Sequence, residues 1–200
     1  MSDPRKAIAL DPRIARTRNA VQLAVLGLLS EAHPFEKLTI SEVASVAGIT
    51  RKTFYARFGS LERVVSDIAE DMFESIADSI TDELLLMPLT NTNLTTFVFR
   101  AYENQKSTLT SLLTYCPSSL FLKPCARVFA ILLDRALNVN HFEQLPEVER
   151  EYLTAIVGNT VYATISVWVD RGFSDSPEQL SALLVTLLGP GLENVLKGKI

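Results

Sequence analysis

Apolar residues recur at intervals of three and four along almost the whole chain, and this period restricts the fold more than any other feature. Ile14, Val21, Val25, Leu28 and Ala32 mark a first helix over about 13–32, which His33-Pro34 closes because the residue before a proline resists the helical conformation. Thr39-Ile40-Ser41-Glu42 reads as a capping box that opens a short helix to Ala47, and Gly48 suits the left-handed position beyond it. Thr50 caps a third helix over about 51–58. Ser60 caps a fourth, with Val64, Val65, Ile68, Met72, Ile76 and Ile80 on its apolar face. Further helices are predicted over 93–105, 107–115, 118–137 with a break near Pro124, 146–171 and 177–189. Ser176-Pro177-Glu178 starts the last of these with a cap and a proline at the first position, and Gly189-Pro190-Gly191 stops it. No stretch alternates with period two between hairpin signals, so the expected fold is all-α.

The chain of 200 residues, 48% apolar and 21% charged, has room for one ordinary globular domain or two small ones. Its two cysteines, Cys116 and Cys125, build no disulfide framework and match no zinc spacing; they are expected as core thiols. Two histidines at loop positions, His33 and His141, give little support to a metal site or a Ser-His-Asp enzyme, and no cofactor is expected. Arg5, Lys6, Arg13, Arg16 and Arg18 near the N-terminus precede no apolar block, unlike a signal peptide; they read either as an arm touching phosphates or as a frayed, solvated terminus. Leu153 to Val169 is uncharged but includes Thr154, Asn159, Thr160, Thr164 and Ser166, which falls short of the ~20 apolar residues of a spanning helix. No membrane partner is expected, and the expected location is the cytoplasm.

Residues 38–63 read LTISEVASVAGITRKTFYARFGSLER. In the second helix of this segment Phe54 and Phe58 share a face. At ~100° per residue Lys52 and Ala56 lie opposite, with Thr53 and Tyr55 on the flanks and Arg51 at the N-terminal end. Burying two phenylalanines in this way presents a cation, hydroxyls and a phenol around a small residue, which suits close approach to base edges and phosphates. The layout is a helix-turn-helix, whose second helix enters the major groove. The candidate DNA contacts are Thr39, Thr50, Arg51, Lys52, Thr53, Tyr55 and Arg57.

The segment resembles the DNA-binding domain of the TetR/AcrR family of bacterial regulators. Thr39, Ile40, Val43, Ala44, Ala47, Gly48, Ile49, Thr50, Thr53, Phe54, Tyr55, Phe58, Ser60 and Glu62 stand where that family's pattern has its equivalents, and the likeness covers roughly residues 13–80. Two positions depart from the pattern. Leu61 stands where a lysine is frequent, so a backbone phosphate contact falls to Arg63 or Arg57; Arg57 itself replaces an aromatic residue or histidine. The resemblance implies a three-helix N-terminal domain over 1–63, joined through a long fourth helix to a helical C-terminal domain over 64–200 that binds an effector and dimerises. It also implies that each protomer of a homodimer reads half of a palindromic operator, and that a small molecule displaces the fourth helix. Half-sites must match the groove repeat of about 34–36 Å, so a small change of spacing weakens binding.

In the C-terminal half, a helix apolar on all sides must be covered on all sides. Leu153 to Val169, in which Gly158 and Ala163 allow close approach, therefore pairs with the face of Leu180, Leu183, Leu184, Leu187 and Leu188 as a candidate dimer interface that includes Tyr162. Phe97, Tyr102, Phe129, Tyr162 and Trp168 are candidates for lining an effector pocket, with Arg100, Glu103, Arg127 and Asp134 as charges able to face a ligand. The scarcity of charge points to an apolar or aromatic effector. Asp67, Asp71, Glu74, Asp78 and Asp82, at spacings of three and four, read as a solvated acidic face of the fourth helix.

A net charge of −4 counts against a nucleic-acid partner until it is divided. Residues 1–63 hold ten Lys and Arg against six Asp and Glu, a net of +4; residues 64–200 hold nine against seventeen, a net of −8. The basic part coincides with the helix-turn-helix. The expected function is a dimeric DNA-binding regulator, a repressor of neighbouring genes released from a palindromic operator by a small, mostly apolar effector. The alternatives are the same fold used as a protein-interaction or co-activator module and, more distantly, an all-α enzyme, for which the sequence offers no cluster of convergent titratable groups.

Overall fold

The computed structural model describes residues 12–88 and 92–198, which form nine α-helices and two 3-10 turns. The helices are α1 (Pro12–Leu28), α2 (Ile40–Val46), α3 (Arg51–Phe58), α4 (Leu61–Ser79), α5 (Asn93–Glu103), α6 (Lys106–Tyr115), α7 (Ser119–Val139), α8 (Glu147–Asp170) and α9 (Pro177–Leu196). The fold is all-α. Arg5 and Lys6 lie outside the described residues.

Local chemistry accounts for the helix starts. Ser60 accepts a hydrogen bond from the Arg63 amide at the head of α4, and Ser176 and Gln179 form a second capping box at the head of α9. Three helix ends differ from the sequence expectation. α1 stops at Leu28 rather than near residue 32, because Ser30 and His33 exchange backbone hydrogen bonds across a tight turn. α7 runs unbroken through Pro124, whose missing N–H falls in the helix's second turn and leaves one carbonyl without its bond. α9 continues past Pro190 to Leu196. Its last turns press Leu192, Val195 and Leu196 against Leu133, Leu137, Leu153 and Val157, and this burial offsets the lost hydrogen bond.

α4 is the spine of the molecule. It packs along α7 and also touches α1, α3 and α5. Its buried face, Val64, Val65, Ile68, Met72, Phe73 and Ile76, joins one continuous apolar cluster that reaches from Val21 in α1 to Leu184 in α9. The acidic residues on the other side of α4 do not make a solvated face as expected. Asp71 holds Arg18 and Gln22 of α1, Glu70 and Glu74 hold Arg127 of α7, and Asp82 beyond the helix end holds Arg135. Asp67 is half-buried, and burial pushes its carboxyl above the ordinary value.

Candidate nucleic-acid interface and internal cavity

The helix-turn-helix is built by three local devices. Thr39 and Glu42 cap α2 reciprocally: the Thr39 amide donates to the Glu42 carboxylate at 3.0 Å, and the Glu42 amide donates to the Thr39 hydroxyl at 3.3 Å. The turn after α2 has Gly48 at φ 67°, with the Gly48 amide donating to the Ser45 carbonyl and the Ile49 amide to the Ala44 carbonyl. That is a Schellman arrangement, and a residue with a Cβ resists the backbone conformation it needs. Thr50 then caps α3 by accepting from the Thr53 amide at 3.1 Å, and the two threonine hydroxyls are themselves 2.9 Å apart. The hydrogen bonds from Thr39, first through its side chain and then through its backbone, hold the Glu42 carboxyl below its usual range.

Phe54 and Phe58 anchor α3 in the core with ring centroids 5.4 Å apart, which fixes the rotation of the helix. Arg51, Lys52, Tyr55, Ala56 and Arg57 consequently stand exposed, Thr53 is half-buried behind Thr50, and Thr39 and Thr50 sit exposed at the two caps. The cations here differ from the arginines of the C-terminal half. Arg100, Arg127, Arg135, Arg150 and Arg171, every arginine beyond residue 63, are held by carboxylates within the protein. Arg51, Lys52 and Arg57 meet no carboxylate among the described residues and stand exposed to solvent.

A cavity of about 190 Å³ opens between α4, α5, α7, α8 and α9. Phe73 and Ile76 of α4 form one wall, and Val98, Leu132, Val157 and Leu188 are typical of the others. Tyr102 and Phe129 line it as the sequence suggested. Three other aromatic candidates do not reach it. Phe97 packs on the Ile80, Leu85 and Ala136 cluster, and Tyr162 lies against Phe121. Trp168 is fully buried between Phe99 and Phe173, with its indole N–H donating to the Asp175 carbonyl. None of the four candidate charges lines the cavity either: Arg100 pairs with Glu178, Glu103 with Lys106, Arg127 with α4, and Asp134 with Arg150. The aliphatic lining was missed because, in a sequence, a side chain beside a void has the same pattern as one in a filled core.

No family model matches the sequence. The uncharacterized HTH-type transcriptional regulator YxbF of Bacillus subtilis (strain 168) is 27% identical over 181 residues, which is 86% of this chain and 44% of YxbF. The chain thus spans less than half the length of that curated relative. Among solved structures, the TetR family repressor AlkX from Dietzia sp. strain DQ12-45-1b, implicated in biodegradation of n-alkanes, superposes with a TM-score of 0.56 and 22% identity over 88% of this chain and 98% of AlkX. The dihydroxyacetone kinase operon activator DhaS gives a TM-score of 0.55 and 18% identity over 90% of this chain and 96% of DhaS. The fold is that of the TetR family.

The TetR-type fold leaves two apolar faces open. On α8, Val148, Tyr152, Ile156 and Val167 are 56–69% exposed and fall on one stripe; on α9, Leu183 and Leu187 are 54% and 66% exposed. By length and composition both helices reach the range of membrane spans, with mean hydropathies of 1.3 and 1.2, although the sequence expectation put the α8 stretch below it. The candidate interface residues divide. Leu187 is exposed on the open face, whereas Gly158, Leu184 and Leu188 line the cavity, Leu180 packs on the core, and Tyr162 is half-buried against Phe121. The close approach that Gly158 permits is internal: a Cβ there would lie 3.5 Å from the Ala126 Cα of α7. Among the described residues no three His, Cys, Asp or Glu side chains gather as a metal site.

Proposed function

We propose that the chain is a homodimeric transcription regulator that inserts α3 of each protomer into successive major grooves of a palindromic operator and lets go when a small apolar effector fills the cavity. The carrying observation is the exposed group of Arg51, Lys52, Tyr55 and Arg57 around small Ala56, with cations unmatched by any described carboxylate. Arg51 and Lys52 reach bases or phosphates, Tyr55 a base or phosphate, and Arg57 a phosphate; Thr39, Thr50 and Thr53 position the backbone on the duplex. Residues 1–63 act as the DNA-binding unit and residues 64–200 as the sensing and dimerising unit. On this reading the protein works in the cytoplasm, with the DNA.

The open stripes of α8 and α9 are covered by the same stripes of a second copy, as a two-fold interface requires. α4 links the two functions. It contributes Phe73, Ile76 and Ala77 to the cavity and, on its other side, holds Arg18 of α1 through Asp71. A molecule that pushes α4 therefore shifts the helix-turn-helix, and DNA must weaken effector binding by the same factor as the effector weakens DNA binding. Proteins of this fold include a named repressor and a named activator, so the fold supports regulation of either sign, and repression is part of the proposal. The cavity favours ligand sensing over a protein-docking role for the C-terminal half.

The test is a mobility shift on operator fragments selected from genomic DNA at moderate salt. Replacing Lys52 and Tyr55 together by Ala is expected to cost about thirtyfold or more in affinity, from two contacts of roughly 1–3 kcal/mol each. Undiminished affinity overturns the proposal.

A further inference from the structure

The walls of the cavity and one phenol within them specify the chemistry of its occupant. Among the described residues no Asp, Glu, Lys, Arg or His lines the cavity, and its side-chain polar groups are those of Thr95, Tyr102 and Cys125. Thr95 is already satisfied, donating to the Thr92 carbonyl and sharing a hydrogen bond with Ser181 of α9. The Cys125 thiol leans on the Gly158 carbonyl at 3.8 Å, and burial pushes its pKa up to about 12, so it stays neutral. Tyr102 is different. It is 5% exposed and its ring packs edge-on against Phe73, yet its hydroxyl has no hydrogen-bond partner among the described residues. A buried phenol of this kind normally finds a partner.

We propose that the cavity takes an uncharged, largely hydrocarbon molecule carrying one hydrogen-bonding oxygen, and that this oxygen pairs with the Tyr102 hydroxyl; this rests on reading the cavity as the effector site. An apolar cavity of roughly 150 Å³ accommodates benzene, so this one, at about 190 Å³, holds a molecule of about eight non-hydrogen atoms. A carboxylate or ammonium group would lose its water and meet no counter-charge, because the arginines around the cavity are tied to carboxylates outside it. An oxygen-free hydrocarbon would fit the walls and leave Tyr102 unpaired.

The experiment is calorimetric titration of the full-length protein, without DNA, using acetophenone and 2-octanone as ring and chain probes, isopropylbenzene as the oxygen-free match, and benzoate as the anion. At least one ketone is expected to bind, with benzoate on the order of 100-fold weaker or more at pH 7, since it must take up a proton to enter. Tyr102→Phe is expected to lower the ketone-to-isopropylbenzene affinity ratio about fivefold to tenfold while isopropylbenzene binding persists. Benzoate binding as tightly as the ketones, no ketone binding, or an unchanged ratio in Tyr102→Phe each overturns the proposal. Should Tyr102→Phe fail to fold, the ketone-to-benzoate comparison on the unaltered protein decides alone. Failure here leaves DNA binding by α3 untouched, whereas ketone binding that does not alter the mobility shift counts against the effector role and not against the ligand chemistry.

Discussion

Gly158→Ala is expected to stabilise this protein, although the glycine of α8 faces Ala126 of α7. The residue lies in the interior of α8, where glycine costs about 1 kcal/mol relative to alanine through the backbone freedom it surrenders. A Cβ built there would be 3.5 Å from the Ala126 Cα, 3.7 Å from its Cβ and 3.8 Å from its amide nitrogen. Those are ordinary van der Waals separations, so the methyl needs no shift of α7 and adds a small gain from its own burial. Compatible glycine-to-alanine changes yield about 0.4–1 kcal/mol, and the added contact puts this one near the top of that range. For a chain of this size that is a rise of about 2–4 °C in Tm. Thermal unfolding followed by circular dichroism measures it, with wild type and variant at equal concentration because a dimer's midpoint moves with concentration. Gly27→Ala near the end of α1, with nothing within 4 Å, gains propensity alone and is expected to give less. A lower Tm for Gly158→Ala would refute the reasoning and mean that α7 and α8 need the bare backbone. The methyl also takes room from the cavity, so affinity for 2-octanone is expected to fall.

Three further outcomes follow from particular residues. Thr39→Ala removes one side of the capping box and is expected to cost about 1 kcal/mol in urea unfolding. Because Glu42 is held below the ordinary glutamate value, its contribution is present above that value and is lost as pH falls through the lowered one, so the variant's deficit should shrink on acidification; a deficit constant from pH 7 to 3 would contradict a contribution from the Thr39 hydroxyl to Glu42 carboxylate bond. Ile156→Asp with Leu187→Asp places charges on both open faces and is expected to give a monomer by light scattering, while an unchanged dimer would move the interface elsewhere. Cys116 and Cys125, both pushed up to about 12 by burial, are expected to resist iodoacetamide at pH 7.5 until the protein unfolds; rapid native labelling would contradict that burial.

The helix-turn-helix was legible because each of its determinants acts within a few residues. Thr39 reaches Glu42, Thr50 reaches Thr53, Gly48 turns the chain at its own φ, and Phe54 and Phe58 share a face through helical periodicity alone. The solvent side of α3 follows from the buried side, so Arg51, Lys52 and Tyr55 could be placed outward without a partner in view. The C-terminal half was less legible. Aromatic residues suggested a pocket, but Phe97 and Tyr162 do not reach it, Phe73 and Phe99 line it beside Tyr102 and Phe129, and Trp168 is instead the centre of a core. The acidic residues of α4 gave no sign in sequence that their arginine partners lay on α1 and α7, some fifty positions away.

Local sequence alone determined where helices begin, which face of each is apolar and which short pair forms the helix-turn-helix. Tertiary structure decided where helices end against a proline, as at Pro190, because one lost hydrogen bond is weighed against Leu192, Val195 and Leu196 buried on other helices. It also decided which apolar side chains enclose space and which fill it. Periodicity reports that a residue points inward; whether it meets a neighbour or a void depends on how far apart two helices stand, and that distance is set jointly by residues such as Gly158 and Ala126 that no local pattern connects.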